Sequence, residues 1–464
     1  MKTKILFLNL PWKEKYLREY FCSKISKARY YYPAVNLVYM TWRFDNDKFE
    51  VSVWDAIAEK TWDKETIQKI KEINPDFVYC LASAPSFKED KQFISELKES
   101  NPNIKIIWDW DVFRELKEES FRAVPELDAI NFNFWSWNIV KYVEWKLKWE
   151  KVENIIYKYW ENIIVWEENF KIKSRDVPIP RRELFDHNKY NHPFAIREKS
   201  TTMLTDFGCP FRCSFCPISN VDRSLRPLDK VIQEIKLLKS QWINDIFFLD
   251  QTFWVDKQRT KELCKEIKKI WLSWCAFSRV DVVNEELIKD MSEAWCYEIL
   301  FWIESANEEI LKKYNKNTKQ DSMFKAIQLC KKYHIRSCGT FIIWLPWDTK
   351  ESIRYTIKFA NLLWLDYASF NIATPRIWTD FRNDMINQWR ADPKDLNLES
   401  TKQKESSRKN NTLTHKEIKE LQSYAIKSFY LNPKYLIKRL FWIRTLYELK
   451  NQILEWFNLI FKRN

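Results

Sequence analysis

Glycine is nearly missing from this chain, with 2 in 464 residues. Ordinary usage of about 7% would supply roughly 32. An α/β protein draws on glycine for left-handed turns and helix ends, where a Cβ is costly. The near-absence therefore excludes an ordinary α/β fold unless another residue stands in those positions. A stand-in is visible. The chain has 25 tryptophans, many in turn-like surroundings: LPWKEK, EKTWDKE, YKYWENIIVWEEN, IIWLPWDTK and PRIWTDF. Trp347, between Pro346 and Asp348, sits where turn chemistry asks for glycine. The reading is that most of these positions are UGA codons, which some bacterial lineages translate as glycine and other tables as tryptophan. UGG at positions 302, 344 and 347 would contradict it. Trp54 (VSVWDA) and Trp274 (LSWCAFS) lie inside strand-like runs and read as true tryptophans.

Other absences narrow the function. No stretch approaches the roughly 20 apolar residues of a membrane span. The opening MKTKILFLNLPW is too short in its apolar run for a secretory signal and fits a first strand, so a cytoplasmic location is expected. The four histidines, His187, His192, His334 and His415, form no metal-binding spacing and read as linker or surface residues. The net charge of +13, from 77 basic and 64 acidic residues, is spread along the chain. That favours a solvated basic surface over a nucleic-acid partner.

Hydrophobic residues make up 45% of the chain, enough for ordinary cores. At roughly 150 residues per domain, the length implies two or three domains. Residues 1–150 alternate strand-like runs (5–9, 49–54, 77–81, 104–107, 129–132) with amphipathic stretches (64–73, 87–100). This is the βαβ pattern of a doubly wound parallel sheet, whose ligands bind outside the carboxyl ends of the strands. Those ends carry Asn9 to Trp12, Asp55, Ser83, Trp108 to Trp110, and Trp135 to Trp137. Residues 151–194 read as a connector holding a short hairpin. Residues 195–381 resume the alternation with six strand–helix units, giving an α/β fold with a partial (βα)6 barrel and chemistry at the strands' carboxyl ends. Residues 382–464 are lysine-rich, then helical and basic. This tail either packs on the barrel or lies on a membrane surface, packing being the preferred reading.

The sharpest motif is TDFGCPFRCSFCPIS, which follows a strand and spaces Cys209, Cys213 and Cys216 as C-x-x-x-C-x-x-C. Ten cysteines in a cytoplasmic chain argue for thiols and metal ligands. Three thiolates on one loop suit a [4Fe–4S] cluster with one iron left open. A zinc site wants four ligands, usually in paired spacings, and no fourth is evident nearby. An open iron can chelate S-adenosylmethionine through its amino and carboxylate groups. Reduction then splits the sulfonium to give a 5′-deoxyadenosyl radical.

Over residues 1–380 the sequence resembles radical S-adenosylmethionine enzymes with an N-terminal cobalamin-binding domain. The resemblance rests on GCPFRCSFC and on the ordered strand ends that follow: FFLDQTF, FSRVD, WIESAN, WLPWDT and TPRIWT. Reading Trp302, Trp344, Trp347 and Trp378 as glycine restores the family's usual strand ends. The resemblance implies that Phe215 lies near the adenine, with backbone contacts from the strand holding Gly339, Ile343 and Trp344. It places Glu304 and Ser305 near the ribose, and Arg279 and Lys316 at the methionine carboxylate. Asp250 ends a strand facing the cavity and is expected to touch substrate or cofactor. A purely structural role is the alternative for Arg279, Asp250 and Lys316.

The N-terminal domain resembles the family's cobalamin domain, although residues 1–150 contain no histidine to bind cobalt. The other cysteines (Cys22, Cys80, Cys264, Cys275, Cys296, Cys330, Cys338) read as buried thiols. The three N-terminal cysteines of methylthio-transferring relatives are absent. The resemblance implies a small-molecule or lipid-like substrate and an electron donor such as flavodoxin or ferredoxin. Cobalamin-dependent methyl transfer is the first reaction expected. Oxidative cyclisation or rearrangement is the alternative, and a non-catalytic Fe–S redox protein the third reading.

Overall fold

The computed structural model describes every residue except 1, 14, 20–22, 27–29, 45–46, 82, 110–115, 133–136, 145–151, 161, 166–176, 178, 346, 388–390, 394–412, 441–442, 444 and 462–464. Cys22, Trp110, Trp135, Ser136 and Pro346 thus lie outside the described residues, as does most of the lysine-rich stretch before residue 413. The chain divides into two compact units. One comprises residues 1–26, 30–190 and 396–399, the other residues 27–29, 191–395 and 400–464.

The first unit is built on a seven-stranded sheet: β1 (Thr3–Asn9), β2 (Phe49–Asp55), β3 (Phe77–Leu81), β4 (Lys105–Asp109), β5 (Ala129–Asn131), β6 (Ile155–Tyr159) and β7 (Asn162–Ile164). Their spatial order is β2-β1-β3-β4-β5-β6-β7. The first five pair in parallel. Ile5 to Asn9 are buried without a break, as expected of a strand covered on both faces. Helices α1 (Asp63–Ile73) and α2 (Phe87–Ser100) bury Ile70 and Phe93, Ile94 and Leu97 at helical spacing.

The hairpin at 155–164 falls in the expected connector, yet it pairs antiparallel with β5 and completes the sheet. The reason is physical. Ile155, Ile156 and Tyr157 need burial, and the open edge of β5 needs hydrogen-bond partners.

The second unit holds six strands: β8 (Ser200–Met203), β9 (Asp245–Phe248), β10 (Ser273–Ser278), β11 (Cys296–Glu304), β12 (Arg336–Ile343) and β13 (Tyr367–Ile372). They pair in parallel and in sequential order, forming an open partial barrel. The crossover helices are α3 (Leu228–Ser240), α4 (Lys257–Ile270), α5 (Glu285–Glu293), α6 (Gln320–Lys332) and α7 (Lys350–Leu362). Several start on side-chain caps. Asp256 accepts from the Arg259 amide, Asn284 from Leu287 and Thr349 from Ser352.

The chain continues through α8 (Asp380–Asn387), α9 (His415–Tyr430), α10 (Pro433–Leu440) and α11 (Leu446–Phe461). Helix α9 packs Ile418, Leu421, Ala425 and Phe429 into the barrel's core. Among the described residues no helix is long and apolar enough to cross a membrane.

Two sequence expectations change. The strand expected to lead straight into the cysteine motif stops at Met203, because the Asp250 carboxylate accepts from the amides of Thr205 and Asp206 and takes that segment out of the sheet. His192 is not a surface residue. It is buried with Nε2 3.3 Å from Asp245 Oδ1, an oxygen that also accepts from the Tyr297 hydroxyl. The described cysteines outside the motif are buried, as expected.

Candidate functional site at the carboxyl edge of the barrel

The cysteine loop is closed at its base. Asp206–Phe207 and Ser224–Leu225 form a two-rung antiparallel pair, and the loop between them carries Cys209, Cys213 and Cys216. Gly208 opens that loop at φ +71°, and a Cβ there would lie 2.7 Å from the Val221 carbonyl oxygen. Only glycine fits, both by conformation and by space. The loop is tied down at further points. The Cys209 amide donates to Val221 O at 3.3 Å, Ser214 N to Tyr314 O at 3.1 Å, and Phe381 N to Ser214 O at 3.1 Å. Asn315 Nδ2 donates to Arg212 O at 2.8 Å.

The three thiols share one electrostatic neighbourhood. Burial pushes the Cys216 thiol up to about 12, with repulsion from Cys209 and Cys213 adding to it. Cys209 is raised by burial first, and by Cys213 as well. A thiol so strained toward its neutral form gains from any cation that takes its proton's place. Among the described residues no three His, Cys, Asp or Glu side chains converge on a point that would hold a single metal ion. A cubane makes a different demand, since each of its thiolates holds a different iron.

Arg279, at the end of β10, is the loop's main electrostatic partner. Its Nη1 donates to Cys213 Sγ at 3.5 Å. Asp281 clamps the same guanidinium through Nε at 2.9 Å and Nη2 at 2.7 Å, and the Phe211 ring lies 3.9 Å below it. Sequence reasoning singled out Arg279 but missed Asp281 and Phe211. The Arg-x-Asp spacing was the available signal for the clamp.

The other expected residues divide into two groups. Phe215, Arg279, Glu304, Ser305, Ile343 and Trp344 all stand on the cysteine loop or at strand ends on this edge. Phe215 packs edge-on against Tyr314 at 5.9 Å. Glu304 ends β11 at φ +67°, and Ser305 follows it with its Oγ accepting from the Asn307 amide.

The second group is engaged within the protein. Lys316 Nζ donates to Trp302 O at 2.7 Å and pairs with Glu304 at 3.2 Å, so its charge is already met. Asp250, expected to touch a ligand, holds Thr205 and Asp206 instead, and burial raises its pKa. Gly339 lies inside β12, where a Cβ would meet Leu365 Cδ1 at 2.6 Å. Its smallness serves packing at that point, and the expected backbone approach to a ligand is not what requires it.

Two tryptophans shape the mouth. Trp302 stacks on Phe277 at 4.5 Å and donates from Nε1 to Gln251 O, so its indole fills space at this edge. Trp344 is buried at φ +68°. Beside the cysteine loop, Ser214, Tyr314, Trp347, Phe381 and Met385 line a cavity of about 290 Å³.

The radical SAM superfamily matches residues 204–360, which span the cysteine loop through α7. An uncharacterized methyltransferase of Pyrococcus horikoshii is 28% identical over 433 residues, 88% of this chain and 90% of that protein. The anaerobic magnesium-protoporphyrin IX monomethyl ester cyclase of Rubrivivax gelatinosus is 25% identical, over 71% of this chain and 62% of the cyclase. Among solved structures, the cobalamin-dependent S-adenosylmethionine radical enzyme OxsB has the same fold, with a TM-score of 0.69 at 14% identity over 98% of this chain and 72% of that one. The radical S-adenosylmethionine methyltransferase TsrM of Kitasatospora setae, solved with cobalamin and a [4Fe–4S] cluster, matches with a TM-score of 0.66 at 15% identity, over 84% of this chain and 75% of that one.

Proposed function

We propose that this chain is a radical SAM enzyme, which reductively cleaves S-adenosylmethionine to activate an unreactive carbon, with cobalamin-dependent methyl transfer as its reaction. The observation that carries this reading is the closed three-cysteine loop on the barrel's carboxyl edge, with Arg279 donating to Cys213 Sγ. Cys209, Cys213 and Cys216 would hold the [4Fe–4S] cluster. When bound, the cluster supplies an open iron to chelate S-adenosylmethionine and the electron that splits its sulfonium.

The protein's own groups prepare the place. Asp281 and Phe211 fix the Arg279 guanidinium, so a positive charge stands beside the thiolates without having to reorganise. Lys316 and Glu304 neutralise each other at the end of β11, so that strand end carries no net charge from this pair. Asp250 fixes the stem of the cysteine loop as a positioning residue.

Cobalamin fits the first unit's carboxyl edge only in a particular way. Residues 1–150 contain no histidine. The polar groups ending the strands already pair among themselves, as Asn9 does with Tyr31 and Asp55, and Tyr79 with Asp109. Its hold would come from the loops beyond those strand ends, with no imidazole on cobalt from this domain. There it would supply the carrier for the methyl group. Oxidative cyclisation is the second reading, supported by the cyclase of Rubrivivax gelatinosus. The electron donor fitting this chemistry is a flavodoxin or ferredoxin, the location cytoplasmic, and the substrate a small or lipid-like molecule.

The glycine reading belongs to the same proposal. Of the fourteen non-glycine residues at positive φ among the described residues, seven are tryptophan: Trp160, Trp242, Trp271, Trp295, Trp344, Trp364 and Trp378. A bulky side chain is among the least suited to that region. Four of them stand just past helices α3, α4, α5 and α7. Beyond α3, the Ile243 amide closes onto Leu238 O, the hydrogen bond of a glycine-ended helix. Trp160, Trp242 and Trp271 are 84%, 74% and 69% exposed. Trp274 is the contrast, fully buried with Nε1 donating to Ala294 O at 2.7 Å. Trp302 is not at positive φ, and its assignment, like that of Trp347, rests on the family's strand ends.

Anaerobic reconstitution with iron and sulfide, then reductant and S-adenosylmethionine, tests the activity. The expected products are 5′-deoxyadenosine and S-adenosylhomocysteine, and neither forming refutes it. Peptide mass spectrometry of the protein from its native host tests the glycine reading. Each recoded position lightens its peptide by one Trp-to-Gly exchange, whereas tryptophan at positions 242, 271 and 344 refutes it.

A further inference from the structure

Among the described residues of the last two helices, several charged side chains are held inward in ion pairs while several large apolar ones are exposed. In α11, Glu448 is 2% exposed, pairs with Arg336 at 2.5 Å and lies 3.4 Å from Arg439. Gln452, one turn on, accepts from Arg439 Nε at 2.9 Å. In α10, Lys438 pairs with Asp366 at 2.8 Å and donates to Trp364 O. Arg336 opens β12, and the buried Glu298 near the start of β11 feels both Arg336 and Arg439. The polar stripe of both helices is therefore taken up by charges at the amino end of the barrel. This is the end opposite the cysteine loop.

That docking fixes what faces outward. Leu446 is 86% exposed, Ile437 60% and Ile453 58%, and Leu436 and Leu431 are exposed as well. Lys434 and Lys450 are exposed among these side chains. An ordinary surface helix does the reverse and turns its apolar stripe inward. Here the inward stripe is held by ion pairs, so the apolar side cannot turn in without breaking them. Clustered apolar side chains left in water mark a surface made to be covered.

The surrounding charge selects the cover. On the described part of α10 and α11 the exposed charges are Lys434 and Lys450, both basic, since Lys438, Arg439 and Glu448 are engaged inward. A second copy would set Lys434 and Lys450 against the same two lysines, with no acidic side chain exposed on the described part of this face to meet them. An anionic lipid surface offers apolar depth under negative headgroups and complements both features. We propose that α10 and α11 form a peripheral docking face for an anionic bilayer, lying in its plane with Ile437, Leu446 and Ile453 inserted. This reading stands apart from the chemistry at the barrel's other end.

The test is co-sedimentation of the full-length protein with phosphatidylcholine vesicles, with and without phosphatidylglycerol. Binding is expected only to the mixed vesicles and is expected to weaken as salt rises. Combining Ile437→Ser, Leu446→Ser and Ile453→Ser should weaken it by on the order of tenfold or more. Lys434→Glu with Lys450→Glu should weaken it similarly, and each variant should keep the wild-type iron content and melting temperature. Equal binding by the serine variant overturns the proposal. So does a protein that ignores both vesicles but forms a concentration-dependent dimer lost in the serine variant, since the face then belongs to a second copy. Loss of iron in the wild type would fault the cluster assignment and leave the vesicle result standing by itself.

Discussion

The two units solve the same geometric problem in opposite ways. Each is a parallel sheet whose strand ends gather polar side chains at one edge. In the first unit those side chains satisfy one another. Tyr31 donates to Asp55, whose carboxylate also accepts from Asn9 and Tyr190. Arg18 pairs with Asp90 at 2.6 Å, and Tyr79 donates to Asp109 while accepting from Asn131. In the second unit the edge presents three free thiols, a clamped guanidinium and a glycine that nothing else can replace. On the proposed function, a self-satisfied edge would serve as a platform that holds a ligand through its loops. An edge with strained thiols and a fixed cation makes a reaction site. The fold is shared, and the placement of unmet chemistry separates the two roles.

Breaking the reactive edge should have the largest effect. Cys213→Ala is expected to abolish cluster assembly and to cut S-adenosylmethionine cleavage by more than about a hundredfold, since it removes a ligand where even supporting groups cost 10–100-fold. Iron analysis and 5′-deoxyadenosine yield measure it. Activity within a factor of a few of wild type would put the site elsewhere.

Glu448→Gln tests the far end of the same barrel. Removing one partner of a buried pair leaves Arg336 and Arg439 under-compensated beside Glu298, which should cost roughly 3–5 kcal/mol. Denaturant unfolding reads this, and a loss under about 1 kcal/mol would mean the pair is not buried as described.

Arg279→Lys keeps the charge but loses the fork held by Asp281. Turnover should fall about 10–100-fold, with the cluster's reduction potential shifting as well. Changed affinity for S-adenosylmethionine at an unchanged potential would instead return Arg279 to the methionine carboxylate, as the family resemblance implies.

The platform should behave otherwise. Tyr79→Phe leaves Asp109 short of a donor inside the first unit and should cost about 1–3 kcal/mol of stability. The initial rate of S-adenosylmethionine cleavage should stay put.

His187 gives the smallest and most specific signal. Burial lowers its pKa from 6.5 to about 4, with Arg182 also opposing the charged form. The folded state therefore disfavours the imidazolium. The stability that comes from holding it neutral is present above the unfolded value and is lost as pH falls from about 6.5 through 4. The loss should reach on the order of 2 kcal/mol, and His187→Gln should flatten it. A parallel pH slope in both proteins would assign the effect to other groups.

Much of this was legible in the sequence. The strand at 77–81 and the helix at 87–100 stand where expected, because their apolar spacing and flanking breakers are strong. The cysteine motif was legible because its spacing is chemistry in itself. What escaped was side-chain partnership across distant segments. Nothing local marks Asp250 as the anchor of Thr205, Lys316 as the partner of Glu304, or His192 as buried against Asp245. The hairpin at 155–164 was recognised as strands but not as part of the sheet, since a hairpin's own residues do not name the edge it joins. The composition was legible as an anomaly. Positive φ is shared by Trp344 and Trp378, which the sequence had already singled out, and by Trp242, Trp271, Trp295 and Trp364, which it had not.

The most direct test of the account is Mössbauer spectroscopy of the anaerobically reconstituted, full-length protein, with and without S-adenosylmethionine. The account predicts a [4Fe–4S] signal in which a single iron site changes when S-adenosylmethionine is added, with the signal absent in Cys213→Ala. A cluster whose irons are all indifferent to S-adenosylmethionine, or one that survives the loss of Cys213, would contradict it.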